Sequence, residues 1–233
     1  MNLKQVNLTR SGQKILNDLN LDIPERGVMV LLGANGAGKS TLLNVLAGIS
    51  DIDSGEIILK QARHRFLMPE PAVFYPQLTV EEQLRFIATI NHVNAANDEV
   101  KRLLDLWQLM PVKQQLTQHL SLGFRQRLSL AQLEVSQADV LLMDEPLNGM
   151  DPEVLKIFKT QVKHWKSTKT IVMATHIMHE VQELADWVVV MWQGNIIHSA
   201  AYQQELDFYQ IYQHAIDQHH KTFVGTGSKN SEN

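Results

Sequence analysis

Apolar residues in this chain alternate between short unbroken runs and helical repeats. Runs such as Val28-Met29-Val30-Leu31-Leu32, Val140-Leu141-Leu142-Met143 and Thr170-Ile171-Val172-Met173 have the length of strands buried on both faces. Strands are predicted at 3 to 8, 19 to 23, 28 to 32, 56 to 59, 139 to 143, 170 to 174, 187 to 191 and 195 to 198. Between them, Leu42, Leu43, Val45 and Leu46 recur at helical spacing. From about 78 to 135 the pattern is wholly helical, with Leu84, Ile87 and Ala88 and then Val100, Leu103 and Leu104 on helix faces. The alternation predicts an α/β fold, a sheet flanked by helices, with the block 78 to 135 inserted as a helical subdomain. One domain is expected over 1–224, followed by a small, polar and unstructured end over 225–233.

Composition narrows this picture. The 233 residues suffice for one full core. A net charge of -4 is too mild to announce a nucleic-acid partner, and none is expected. With no cysteine, disulfides and thiolate metal sites are excluded, which fits a reducing compartment. Met1-Asn2-Leu3-Lys4 leads directly into folded-looking sequence, so no signal peptide is expected. The most apolar stretches, such as Trp187 to Trp192, fall far short of the ~20 residues that cross a bilayer. Work at a membrane would require a second chain to cross it.

The run Gly33-Ala34-Asn35-Gly36-Ala37-Gly38-Lys39-Ser40-Thr41 fits G-x-x-x-x-G-K-[ST] where a buried strand gives way to a helix. Glycines let a backbone wrap closely enough to aim its N–H groups at a phosphate, and the start of the helix adds its positive dipole end. In this pattern Lys39 reaches the β and γ phosphates of a nucleoside triphosphate and the Ser40 hydroxyl takes Mg²⁺. A second element, Val140-Leu141-Leu142-Met143-Asp144-Glu145-Pro146, ends an apolar strand in two adjacent carboxylates. Alternate strand residues point to opposite faces, so the two can act on different atoms of one nucleotide: Asp144 in the Mg²⁺ shell, Glu145 on the attacking water.

Two further phrases are specific. Leu120-Ser121-Leu122-Gly123-Phe124-Arg125-Gln126-Arg127 precedes the acidic strand, and Ala174-Thr175-His176 follows the next one. With Asn148-Gly149-Met150-Asp151-Pro152 they stand in the order and spacing of the ATP-binding-cassette ATPases, which the chain resembles from about residue 1 to 200. The resemblance implies a P-loop NTPase core with an N-terminal antiparallel β part, ATP as substrate and Mg²⁺ as cofactor. It implies that Ser121, Leu122 and Gly123 form the signature that contacts the γ-phosphate held by a second cassette, that Asp151 lies in the loop joining the two sites, and that His176 holds the γ-phosphate and the water. Implied partners are an integral-membrane transporter subunit and a second ATPase, a copy or a paralogue. The implied location is cytoplasmic, peripheral on the cytoplasmic face of the plasma or inner membrane.

Three departures from that family carry information. Where a glutamine usually contacts Mg²⁺ and water, this chain has Glu70, a good hard ligand that adds charge and cannot donate a hydrogen bond when ionised. No Phe, Tyr or Trp precedes Phe66, so the aromatic that stacks on adenine is missing, and Arg10 stands near the matching position as a stacking candidate or as a plain solvated arginine. The signature reads LSLGF where LSGGQ is commonest, a phrase most similar to exporter ATPases for antibiotics, lantibiotics and polysaccharides. Other readings stay open: a soluble ATPase of the same superfamily, against which stands the gap of only about 80 residues between Lys39 and Ser121 with no sustained heptads, or a weakly hydrolysing regulatory module.

His214, His219 and His220 are expected at a solvated helix end, and Trp165, Trp187 and Trp192 as packing residues. Tyr209, Tyr212 and Ile216 at helical spacing predict a terminal helix docking on the body or on a partner.

Overall fold

The computed structural model describes residues 1–59, 63–203 and 207–227. In chain order it contains β1 (Asn2–Arg10), β2 (Gln13–Asp22), β3 (Gly27–Leu32), α1 (Lys39–Ala47), β4 (Ser54–Ile58), β5 (Arg65–Met68), α2 (Val80–Ile90) and α3 (Ala96–Leu106). There follow α4 (Leu122–Val135), β6 (Val140–Asp144), α5 (Pro152–Trp165), β7 (Thr170–Ala174), α6 (Met178–Val181), β8 (Trp187–Trp192), β9 (Asn195–Ala201) and α7 (Phe208–Gly227). The chain forms two compact units, one of Met1–Pro24, Val28–Lys60 and Ala174–Asn233, the other of Glu25–Gly27 and Gln61–Met173.

In the first unit, β1 lies between β2 and β4 in an antiparallel sheet. Ser11 and Gly12 turn the β1–β2 hairpin with positive φ at both, 50° and 78°, which matches the twist of the flanking strands. The strand predicted at 19 to 23 is therefore only the far half of β2; the near half carries Ile15 and buried Leu16, but polar Gln13-Lys14 before them and Asn17-Asp18 after them interrupt the apolar run. In the same unit β3 pairs in parallel with β8, from Met29 opposite Trp187 to Leu32 opposite Val190, and β8 pairs antiparallel with β9.

The terminal helix α7 packs against β8, β9 and α6. Its buried stripe is Phe208, Ile211 and Ala215, while Tyr209 is 61 % exposed, so the expected face of Tyr209, Tyr212 and Ile216 is displaced about one position. The anchor is Phe208, whose ring meets Tyr202 edge-on at 4.7 Å and whose N–H donates to Gln182. Helix α7 extends three residues into the segment expected to be unstructured, and 228–233 lie outside the described residues.

In the second unit β5, β6 and β7 are neighbours in that order. The short β5, with three apolar residues after a run rich in Arg and His, was not predicted; it pairs in parallel with β6 from Arg65 opposite Val140 to Met68 opposite Met143. Arg63 fastens the entry to this layer, donating to the carbonyls of Glu25 and Asp139 and to the Thr170 hydroxyl. The predicted helical block resolves into α2, α3 and α4, with single 3-10 turns at Met110–Val112 and Thr117–His119. Helix α2 starts in a capping box between Thr79 and Glu82. Trp107 is fully buried, and its indole N–H donates to Glu134, a carboxylate that Arg102 neutralises together with Glu99. Helix α5 buries Val154, Phe158, Val162 and Trp165, each contributing about 1.5–3 kcal/mol by removal from water.

Candidate active site

The loop after β3 is built around glycines. A Cβ on Gly33 would lie 2.6 Å from the Met191 carbonyl oxygen, so only glycine lets the loop leave β3 along the end of β8. Gly38 caps α1 with φ 103°, a left-handed conformation that costs other residues strain, and has no side chain to occupy the first-turn N–H groups. The start of α1 is thus available to an anion, as in other phosphate-binding helix ends. Lys39 is only 6 % exposed, and its ammonium donates to the Gly33 carbonyl at 2.8 Å and the Ala34 carbonyl at 3.2 Å. Those bonds hold the charge at the loop. Ser40 is exposed and Thr41 half-buried, while Ala34, Asn35 and Gly36 are exposed and Ala37 is buried.

His176 belongs to the same unit. The Thr175 N–H donates to the Leu31 carbonyl at 3.3 Å, and the Thr175 hydroxyl accepts from Ile177. Leu31 is two residues before Gly33, so these bonds bring exposed His176 to the strand end from which the glycine loop starts. Arg10, at the end of β1, is exposed and donates through its guanidinium to Ser50 beyond α1.

The second unit gathers the acidic residues. Because Met68 pairs with Met143, the steps beyond each strand place Glu70 at the same sheet end as Asp144 and Glu145. Asp144 is 6 % exposed. Partial burial, then the charges of Asp144 and Glu145, push the Glu70 carboxyl above its ordinary value. Glu145 has φ 45°, which costs a residue with a side chain on the order of 1–3 kcal/mol. Its turn is held: the Asn148 N–H donates to the Glu145 carbonyl at 3.2 Å, and buried Gln126 donates to the Glu145 and Pro146 carbonyls. Gln126 drew no role from the sequence. Its position two residues before a buried leucine in α4 resembled ordinary helix, and the strained turn it supports is visible only in space.

Ser121 caps α4, accepting from the Phe124 N–H, so the turn Ser121-Leu122-Gly123 sits at a helix start with Leu122 61 % exposed. Asp151 caps α5, accepting from the Glu153 and Val154 N–H groups. The Val154 N–H first, then the Arg127 guanidinium, hold its carboxyl below the usual range. Among the described residues no three His, Asp or Glu side chains converge as a self-sufficient metal cluster. The donors present nevertheless suit Mg²⁺, which takes hard oxygens, keeps several waters and needs only one or two carboxylates beside substrate phosphates.

An apolar groove of about 360 Å³ lies in the same unit, lined by residues including Phe66, Met68, Phe74, Gln83 and Ile87. Its rim segment is fixed by the Tyr75 N–H donating to Gln83 and by the Thr117 hydroxyl donating to the Tyr75 carbonyl. Val73 and Tyr75 stay exposed there, Tyr75 meets exposed Phe86 of α2 edge-to-face at 5.0 Å, and Ile90, one helical turn beyond Phe86, is exposed as well.

The family profile described as ABC transporter matches residues 16–148. A lantibiotic transport ATP-binding protein of Streptococcus pyogenes is 30% identical over 224 residues, covering 92% of this chain and 97% of that protein. An uncharacterized ABC transporter ATP-binding protein of Bacillus subtilis is 31% identical over 197 residues, 79% of this chain and 64% of its own length. Among solved structures, an ATP-binding subunit of an ABC transporter superposes with a TM-score of 0.85 at 22% identity, covering 92% of this chain and 98% of that one. A dimeric ATP-binding cassette in a post-hydrolysis state with ADP and Pi superposes at 0.76 with 18% identity, covering 87% and 98%. The chain belongs to the ABC transporter family, as one of its ATP-binding, ATP-hydrolysing subunits.

Proposed function

We propose that this subunit drives export through a separately encoded membrane protein, closing on ATP with a second cassette and reopening after hydrolysis. The observation that carries the reading is the near full-length match to a protein named for lantibiotic transport. Among the described residues no helix is long and apolar enough to cross a membrane, so the exposed rim of Val73, Tyr75, Phe86 and Ile90 is assigned to docking a membrane chain at its cytoplasmic face.

In the proposed cycle the N–H groups of Gly33 to Thr41 and the Lys39 ammonium bind the phosphates. Glu145 takes the proton of the attacking water and His176 hydrogen-bonds the γ-phosphoryl oxygens. Ser121 and Gly123 serve the nucleotide of the opposing cassette, and Asp151 lies at the seam. Mg²⁺ would be held by Ser40, Asp144 and Glu70, and when bound it neutralises charge developing on the phosphates. Arg10 is assigned to the base through its guanidinium plane.

A tagged chain is expected to co-purify with a polytopic membrane protein that stimulates its ATPase. Val73→Asp, at a residue 72 % exposed, should reduce that recovery about tenfold while nucleotide binding by the isolated chain is unchanged. Recovery of the wild type with no membrane protein would overturn the transport reading in favour of a soluble ATPase.

Glu70 has its own test. Repulsion from Asp144 and Glu145 disfavours three ionised carboxylates together, and an amide removes one charge while adding a donor. Glu70→Gln is expected to raise kcat by roughly three- to tenfold with little change in the KM for ATP. A fall in kcat would show that the carboxylate itself is required.

A further inference from the structure

The signature turn and the loop following Pro146 meet inside the second unit through three contacts. Gly149, with φ 73°, leaves room for Leu122: a Cβ there would lie 3.0 Å from Leu122 Cγ. A Cβ on Gly123 would lie 3.6 Å from the Gly149 carbonyl oxygen. One turn along α4, the Arg127 guanidinium donates to Asp151 Oδ2 and, at 2.9 Å, to Gln108 Oε1. The same guanidinium lies 5.3 Å from the centroid of the Phe124 ring.

The division of labour at Asp151 is informative. Oδ1 accepts both helix-capping N–H groups, which leaves Oδ2 for Arg127. Phe124 and Arg127 are three apart on α4 and therefore share a face. The ring covers one side of the guanidinium, limiting both its rotamers and the competition of water for the carboxylate. Arg127 is only 18 % exposed, whereas Leu122 and Gly149 are exposed. The contacts thus stiffen a surface turn and a surface loop from beneath.

We infer that Phe124 and Arg127 are positioning residues that join the turn Ser121–Gly123 and the loop Asn148–Asp151 into one rigid face, which serves the nucleotide of a second copy and not the chain's own. This rests on the proposal that the turn acts across a dimer. Gln126, between them, is tied instead to the carbonyls of Glu145 and Pro146 of its own chain.

The test is a mixed pair. Two differently tagged copies are co-expressed, hetero pairs are isolated by tandem purification, and phosphate release is measured. Arg127→Ala alone is expected to lose roughly tenfold in kcat with the KM for ATP within about twofold, and Phe124→Leu, which keeps an apolar side chain, roughly threefold. When either is paired with a Glu145→Gln copy, the one site with an intact Glu145 faces an intact Arg127, so turnover should return to about half that of the wild-type pair. A purely structural role would give no such recovery. Ser121→Arg paired with Glu145→Gln is the reference. If Ser121→Arg recovers and Arg127→Ala does not, the positioning role is overturned while the dimer reading stands. If neither recovers, the dimer reading fails and takes the positioning role with it.

Discussion

Glu145→Gln is expected to abolish most ATP turnover while leaving ATP binding intact. Glutamine has nearly the same shape and can occupy the left-handed backbone at φ 45°, so the turn held by Gln126 and Asn148 should survive. What is lost is a carboxylate able to accept a proton, and removal of a general base typically costs 10²–10⁴-fold, so a drop of about a hundredfold or more is expected. Bound ATP then has no route to products, and the closed dimer should accumulate. The measurement is steady-state phosphate release together with gel filtration in ATP and Mg²⁺. Loss of turnover with an ATP-dependent shift to dimer is the expected pair of results. Full turnover would remove Glu145 from the chemistry and return attention to Glu70, which shares its sheet end.

The motifs stand out in the sequence more clearly than the geometry around them. Gly33 to Thr41 and Asp144-Glu145 were legible because phosphate chemistry demands particular residue types at fixed spacing beside a buried strand, and β3 and β6 are wholly buried runs. Strand β5 was invisible because its partner, β6, is far along the chain and its own apolar run is too short to register. The face of α7 was misplaced by a position because Tyr209 and Tyr212 look as apolar as Phe208 and Ile211, and only packing against Tyr202 decides between them. Gln126 and Arg127 stood in plain view inside LSLGFRQR, yet their partners are backbone carbonyls and a carboxylate that no periodicity brings together. Polar residues that act through another loop leave no pattern of their own.

Lys39→Ala is the change expected to affect nucleotide affinity most. The residue is only 6 % exposed, and its ammonium is held at the glycine loop by the carbonyls of Gly33 and Ala34. A unit charge about 4 Å from a phosphate charge, at an effective dielectric near 20, is worth about 4 kcal/mol. At 1.4 kcal/mol per decade that sets an upper bound near three orders of magnitude, and water entering the vacated volume should reduce the loss to roughly a hundredfold. Stability should change little, because alanine is the best helix former at the start of α1, the released Ala34 carbonyl belongs to an exposed residue, and water filling the vacated volume can replace the ammonium at the buried Gly33 carbonyl. Lys39→Arg separates charge from fit: the planar guanidinium keeps the charge but cannot place it as a compact point, so it should recover only a small part of the affinity. Titration with a fluorescent ATP analogue, alongside thermal unfolding, measures both quantities. Affinity within about threefold of wild type in Lys39→Ala, with unchanged melting, would mean that the loop N–H groups alone hold the phosphates and that the lysine acts only later, on the transition state.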